Sequence, residues 1–555
     1  MAKLRIVALG GLDENGKNLY ALEINDDIIV VNCGLKYPEE SQYGVEVIVP
    51  DYEYLKNHRH RIKGLVLTHA HDDMMNGVPY LLRSISIPVY GPEMCQRVLK
   101  VLMKPEEYEK MEYHILPRSG STAIGNINVT TFGLTHSTAG ALGVAFETEH
   151  GQVVIAEQFV VDFNMHDQGF DSDISTIAEI GDKNVLCLLM EASYAEKPDF
   201  TSPKHRITNH IRPYFEDDSR RIVISLYDQN FIRFKEIVAL CREYRRKIYL
   251  HSANYANRIR ILSEMEYLSI PQKMFLSQKE FNNDRRDTVV IVTGNRHDVF
   301  EVMNKVATKE DDVVELRETD TVIIASPIVP GSEKRASAME DELYKDNVMV
   351  VKLDPKLVLS VHPSMEDMKL MLSLLRPKYF LPVMGEYRDF IQAANLAIDV
   401  GYTPDRIIIL DNGQVAYFNK GNLISCSDFI KVGETMVGED DGKSITSFVI
   451  KDRETLSTDG VIIIGVAINY NNKELIAGPD IQSRGVIYVK DSEYIIKNIA
   501  RMTLDIIAQK VADGTYDNMS ARAELREQVS YYVLRETGKR PMILPAILEI
   551  NLPVQ

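Results

Sequence analysis

A multidomain α/β protein is what the sequence predicts, and three observations carry that reading. At 555 residues the chain exceeds what one hydrophobic core organises, so about two to four domains are expected. Roughly the first two hundred residues break into short apolar runs separated by Gly, Asn and Asp, the mark of many strands with few helices. From about residue 205 strands alternate with amphipathic helices, a pattern that builds a parallel sheet.

Taken in order, LRIVALGG (4–11), YALEIN (20–25), DIIVVNCG (27–34), KGLVLTHA (63–70) and IPVYG (87–91) are the early strands. The next unit runs RRIVISLY (220–227), IRFKEIVALCREYRRK (232–247), KIYLHSA (247–253), NRIRILSEMEYL (257–268) and TVVIVTG (288–294), alternating strand and helix. VMVVKLD (348–354) reads as a strand and EDMKLMLSLL (366–375) as a helix, followed by strands KYFLPVMG (378–385), RIIILD (406–411) and QVAYF (414–418). VGEDDGKS (437–444) combines Gly with four charged residues and predicts an exposed linker. Beyond it come strands GVIIIGVAIN (460–469) and GVIYVK (485–490), two helices over 492–512 and 520–536, and a last strand MILPAILEI (542–550).

The composition, 45% hydrophobic and 26% charged, is that of a globular chain. A formal charge of −17 argues against a sequence-blind nucleic-acid coat, since phosphate binding draws on Lys and Arg, but it leaves room for RNA in one local basic channel. Cys33, Cys95, Cys187, Cys241 and Cys426 are scattered, odd in number and never in a C-x-x-C pair, so neither a disulfide framework nor a thiolate zinc site is indicated. MAKLRIVALGG opens as a strand rather than a signal peptide, and no apolar run approaches the roughly 20 residues that span a bilayer, so a cytoplasmic protein with no membrane association is expected.

The stretch THAHDDMMNG (68–77) carries the chemistry. On an extended segment His69 and His71, two apart, project to the same side and both imidazoles reach one ion, while Asp73 turns toward a neighbouring position. This spacing resembles the HxHxDH loop of the metallo-β-lactamase superfamily, which builds a two-zinc site for phosphodiester hydrolysis, with Met74 in place of the last histidine. The unit after residue 205 looks like the β-CASP insert of nucleases. GGLDENGKNLY (10–20), SVHPSMED (360–367), RPKYFLPVMGEYR (376–388), AGPDIQSRGVIYV (477–489) and RPMILPAILEI (540–550) resemble the ribonuclease J family along essentially the whole chain, nearest its degenerate second paralogue in Gram-positive bacteria.

The resemblance implies an αββα metallo-β-lactamase sandwich formed by residues 1–204 and 366–436, a β-CASP α/β domain over 205–365, a linker at 437–450 and a small C-terminal α/β domain over 451–555. It places His69, His71 and His136 on the first zinc site and Asp73 on the second. It also marks four departures: the acid ending the second strand is Asn32, the loop histidine Met74, the bridging aspartate Gln158, and the last histidine Met384. Two Zn²⁺ ions need anionic ligands to balance them, and two of those acids are here neutral amides. Thioethers fill apolar space and are poor zinc ligands, so Met74 and Met384 are expected to plug the emptied second site.

Three histidines and a water still make a ligand set for zinc, so at most one weakly bound ion is expected. His362 matches the family's histidine beside the scissile phosphate, and Val358, Leu359, Ser360, Val361, His362 and Ser364 match the loop that holds the RNA backbone. Val361 and Pro363 replace the glycines of that loop, adding bulk and removing an N–H donor. Glu191 stands where the family has an Asp.

Plainer readings stay open beside these. His136 alone would serve as a buried histidine bonded to Asp73, and HRHRIK (58–63) and CREYRRK (241–247) read as solvated faces. Three functions are weighed. One is a subunit in RNA decay and rRNA or mRNA maturation, acting as the non-catalytic partner of an active ribonuclease J paralogue. The second is a weak single-zinc ribonuclease with exonuclease and endonuclease activity. The third is a purely structural or RNA-binding module. Homo- or hetero-oligomers, dimers or tetramers, are expected from the resemblance.

Overall fold

The computed structural model describes residues 3–39, 42–295, 298–329, 331–438, 444–486 and 493–551. They form two compact units, one of residues 1–37 and 48–435, the other of 38–47 and 436–555.

In the larger unit an eight-stranded sheet runs in the order 422–429, 414–419, 3–10, 19–24, 27–31, 62–66, 89–91 and 113–115. A six-stranded sheet runs 379–383, 185–191, 151–156, 142–148, 127–133 and 120–124. Side chains from both fill one buried core, Leu4, Ile6, Leu22 and Val31 from the first against Phe132, Val144, Phe146 and Ile155 from the second, so the two are a face-to-face sandwich. Helices Met365–Leu375 and Tyr387–Asp399 cover the second sheet with Met368, Met371, Leu372, Phe390 and Ala393.

The strand and helix alternation after residue 205 folds as an all-parallel five-stranded sheet in the order 247–250, 288–294, 222–227, 321–324, 349–352. Its three inner strands, IVISLY, TVVIVTG and TVII, are almost wholly buried, as helices on both faces demand of continuous apolar runs. The segment CREYRRK is less solvated than expected, because Cys241 is buried and the Arg246 guanidinium is spent on the carbonyls of Phe215, Arg220 and Arg286.

In the smaller unit, strand Val461–Asn469 lies between Leu475–Arg484 and Met542–Ile550. Its side chains alternate, Ile462, Ile464, Val466 and Ile468 inward against helices Glu493–Ala512 and Asn518–Thr537, Ile463 outward. Residues 439–443 of the linker stretch and 487–490 of GVIYVK lie outside the described residues, and a helix begins at Ser447.

One expected strand does not form. RIIILD follows a 3-10 turn at Pro404–Arg406 and makes a single bridge, Ile407 with Phe380, in which Ile408 N–H donates to Phe380 O at 2.8 Å. The next ladder bond would need the N–H of Pro382, which has none, so pairing stops there.

Candidate metal centre and its cleft

The candidate residues sit on loops at the ends of the sandwich strands. His69 and His71 follow strand Ile62–Val66, and Asp73 and Met74 lie in the short helix Asp72–Met75. His136 follows Ile127–Gly133, Gln158 follows Gly151–Ala156, Glu191 ends Val185–Glu191, and Met384 follows Tyr379–Val383. Asn32 follows Asp27–Val31, its N–H bonded to Val66 O at 2.8 Å, which ties its loop to that of the histidines.

The structure brings His69, His71 and His136 together, one ring nitrogen of each lying within 4.8 Å of the others. Their rings pack at centroid distances of 5.1, 4.4 and 4.5 Å. Burial holds the His69 imidazole down to about 4 and holds His71 and His136 well below the ordinary histidine range, so all three are neutral at pH 7. Neutral imidazole is the form that binds metal.

His136 does not bond Asp73. Its Nδ1 accepts from the Thr138 N–H at 3.2 Å, and its Nε2 is buried without a hydrogen bond of ordinary geometry, although Gln158 is near enough to favour the charged ring. Asp73 is satisfied elsewhere, accepting from Gln158 Nε2 at 2.7 Å and from Asn18 Nδ2 at 3.4 Å. Burial and then Asp72 raise its carboxyl to about 6.

Of the four positions that depart from the ligand pattern, Gln158 is bonded to Asp73 and Met74 follows it in the chain. Gln158 Oε1 accepts from His69 Nε2 at 2.8 Å and His71 Nδ1 at 3.0 Å. Asn32 Oδ1 accepts from the N–H and Oγ1 of Thr68, both at 3.0 Å, while its Nδ2 donates to Glu157 Oε2 at 2.6 Å. Met74 is fully buried and Met384 nearly so, both in the sandwich core. Asn32, Gln158 and Met384 share a left-handed backbone, with φ of 57°, 47° and 56°. Outside glycine this conformation costs on the order of 1 kcal/mol and persists only where the surroundings dictate it, least of all for Asn.

Glu157 escaped the sequence reading. It is buried beside Gln158, and burial, then the Asp73 and Glu191 charges, raise its carboxyl to about 8. The available signal was an acid inside AEQF, between a buried strand and a buried Phe159.

The cleft of about 250 Å³ that opens from this centre is lined among others by His71, Asp73, Ser137, Gln158, Ser360 and His362. His362 Nδ1 donates to Glu191 Oε1 at 2.7 Å and packs on the Tyr194 ring at 5.0 Å. Burial opposes its charge, but Glu191 prevails and lifts the imidazole to about 9, so it is a cation at pH 7. The loop around it hangs from buried Asp367, which accepts from the N–H groups of Val161, Thr201 and Ser364. Of the six residues expected to touch a substrate there, Val358, Leu359, Val361 and Ser364 are buried, while Ser360 and His362 are partly exposed.

The donor set fits one metal ion and not two. Three neutral imidazoles, one with an unpartnered nitrogen, make a first site. The second has Asp73 and Glu157, each already bonded by an amide, and two thioether positions.

Comparisons with known proteins agree with this architecture. The family model described as beta-lactamase superfamily domain matches residues 29–156, ribonuclease J beta-CASP domain matches 219–343, and ribonuclease J C-terminal domain matches 448–550. Proteins named Ribonuclease J 2 from Staphylococcus epidermidis RP62A and Staphylococcus aureus MRSA252 are 29% and 28% identical, over 99% of this chain and 98% of theirs. A crystal structure of a protein of unknown function from Enterococcus faecalis V583 shares the fold over 75% of this chain and all of its own, with a TM-score of 0.53 at 17% identity. Among the described residues no helix is long and apolar enough to cross a membrane.

Proposed function

We propose that this chain, similar along its length to proteins named Ribonuclease J 2 and matched by two ribonuclease J domain models, is a ribonuclease J family RNA-binding subunit that has lost the two-metal centre. It acts in RNA decay and in rRNA and mRNA maturation mainly as the cytoplasmic, non-catalytic partner of an active ribonuclease J. The observation that carries this reading is the state of the second ligand set. Asn32 and Gln158 are neutral amides holding Glu157 and Asp73, and Met74 and Met384 are buried in the core. Two-metal hydrolysis needs ions about 4 Å apart that clamp the attacking and leaving oxygens, and the carboxylates left for the second, Asp73 and Glu157, are each bonded by an amide.

RNA lies in the cleft beside His362. The imidazolium held by Glu191, with Ser360 next to it, supplies a charge-assisted contact to a phosphate, while Val361 and Pro363 keep the backbone further away than glycines would. The proposed division of the chain is a sandwich of 1–204 and 366–436, a β-CASP domain of 205–365, a linker at 437–450 and a C-terminal domain of 451–555. Assembly into dimers or tetramers, with itself or with the active paralogue, uses the C-terminal sheet, whose outward Ile463, Leu544 and Leu548 are exposed.

A second reading is favoured by the three imidazoles. Zinc held by His69, His71 and His136 would supply a bound hydroxide for slow phosphodiester hydrolysis. The purified chain, assayed on 5′-monophosphorylated RNA with Mn²⁺ or Zn²⁺, separates the two. No cleavage above background is expected, and cleavage abolished by His69→Ala would establish the second reading instead.

A further inference from the structure

We propose that the Gln158 carboxamide is a built-in substitute for the first-site metal ion, so that metal uptake and the Gln158 bridge exclude each other at the three histidines. The proposal rests on the reading that this chain lacks the two-metal centre, and concerns how the remaining site is held together.

One side chain contacts three of the four retained ligand positions. Gln158 Oε1 accepts from His69 Nε2 and His71 Nδ1, and Gln158 Nε2 donates to Asp73 Oδ2, at 2.8, 3.0 and 2.7 Å. Every polar atom of the amide is used, and each bond is of ordinary length. The left-handed backbone at Gln158 aims the side chain into the cluster, a strain that the surrounding contacts must hold in place.

A metal ion bonds a ring nitrogen through its lone pair, whereas a nitrogen donating its proton to a carbonyl presents none. For His69 and His71 to bind an ion, each proton must move to the other ring nitrogen, and Gln158 Oε1 must withdraw from the two lone pairs it then faces. The exchange is available. His69 Nδ1 lies 3.0 Å from Thr68 Oγ1, whose single proton goes to that nitrogen while it is bare and to Asn32 Oδ1 once it is protonated, and His71 Nε2 lies 3.1 Å from Ser137 Oγ, which can likewise donate or accept. The outer shell therefore supports both tautomers, and the Gln158 bridge selects the one that refuses metal. Asn32 repeats the device one loop away, its amide gripping Glu157 while Thr68 anchors its carbonyl.

The test compares the natural chain with Gln158→Ala and Gln158→Asn, the latter one methylene too short to span the site. Each is dialysed against buffered free Zn²⁺, metal per chain is measured by mass spectrometry, and melting is followed with zinc and with chelator. Loss of up to three hydrogen bonds that oppose the ion is expected to tighten zinc binding at least about tenfold in either variant. The natural chain should melt at the same temperature with zinc or chelator, while the variants should melt higher with zinc. Equal zinc affinity in all three chains, or a natural chain that melts lower with chelator, overturns the proposal. RNA cleavage by the natural chain that depends on His69 would sink the proposed function, yet would leave this proposal standing if the variants still bind zinc more tightly.

Discussion

The two halves of the centre are built on the same kind of loop, just past a strand end, and differ in what those loops carry. In the histidine half His69, His71 and His136 are intact, neutral and converging. In the other half Asn32, Gln158 and Met384 keep a left-handed backbone suited to aiming a side chain inward, while the groups aimed are two amides and a thioether. The path of the chain there is set by strand register and by bonds such as Asn32 N–H to Val66 O, which do not depend on the side chain presented. The path of the backbone and the group it presents are therefore set separately, and the contrast between the halves is open to direct attack.

The largest expected effect comes from erasing the contrast. Asn32→Asp, Met74→His, Gln158→Asp and Met384→His together should raise bound metal, read by mass spectrometry, from at most one to about two ions per chain. An unchanged count would mean that the loops no longer match a metal geometry. Next is the packing around Met74. Met74 is fully buried in the sandwich core, so Met74→Ala should cost about 2–5 kcal/mol in denaturant unfolding. A cost well under 1 kcal/mol would place that methionine outside the load of the core.

The last effect is one of pH and concerns Glu157, buried beside Gln158. Its carboxyl is raised to about 8 in the folded chain, against an ordinary value near 4.5. Between those values the native state holds a proton that the unfolded chain releases. Stability should therefore fall as pH rises from about 4.5 to 8, by up to about 1.4 kcal/mol per pH unit from this group. Glu157→Gln keeps an acceptor for Asn32 and should flatten that fall, read from unfolding midpoints across the range. A slope identical to that of the natural chain would assign the pH dependence to other groups.

Much of this was legible from the chain alone. Continuous apolar runs such as TVVIVTG announced a doubly covered parallel sheet, and the two-residue spacing of His69 and His71 announced a shared ligand point. The departures at Asn32, Met74, Gln158 and Met384 are what the resemblance implies, since a motif fixes what each position should be. RIIILD misled because its own residues favour a strand, whereas the obstacle, Pro382, sits on the neighbour it would have paired with. The Gln158 bridge was hidden for a related reason. It depends on side-chain torsions and on loops 85 to 89 residues apart, and nothing local to AEQF says where an amide will point. Asp367, which ties the amides of Val161, Thr201 and Ser364 together, reads in sequence only as a helix N-terminal acid.

The proline that halts pairing beside Phe380 has a consequence for the life of the molecule in a crowded cell. Strand Tyr379–Val383 is the border of its sheet, and a border with free amide hydrogens invites foreign strands to zip on. With Pro382 fourth among its five residues and Phe380 O already taken by the Ile408 N–H, that flank offers a foreign strand no continuous ladder.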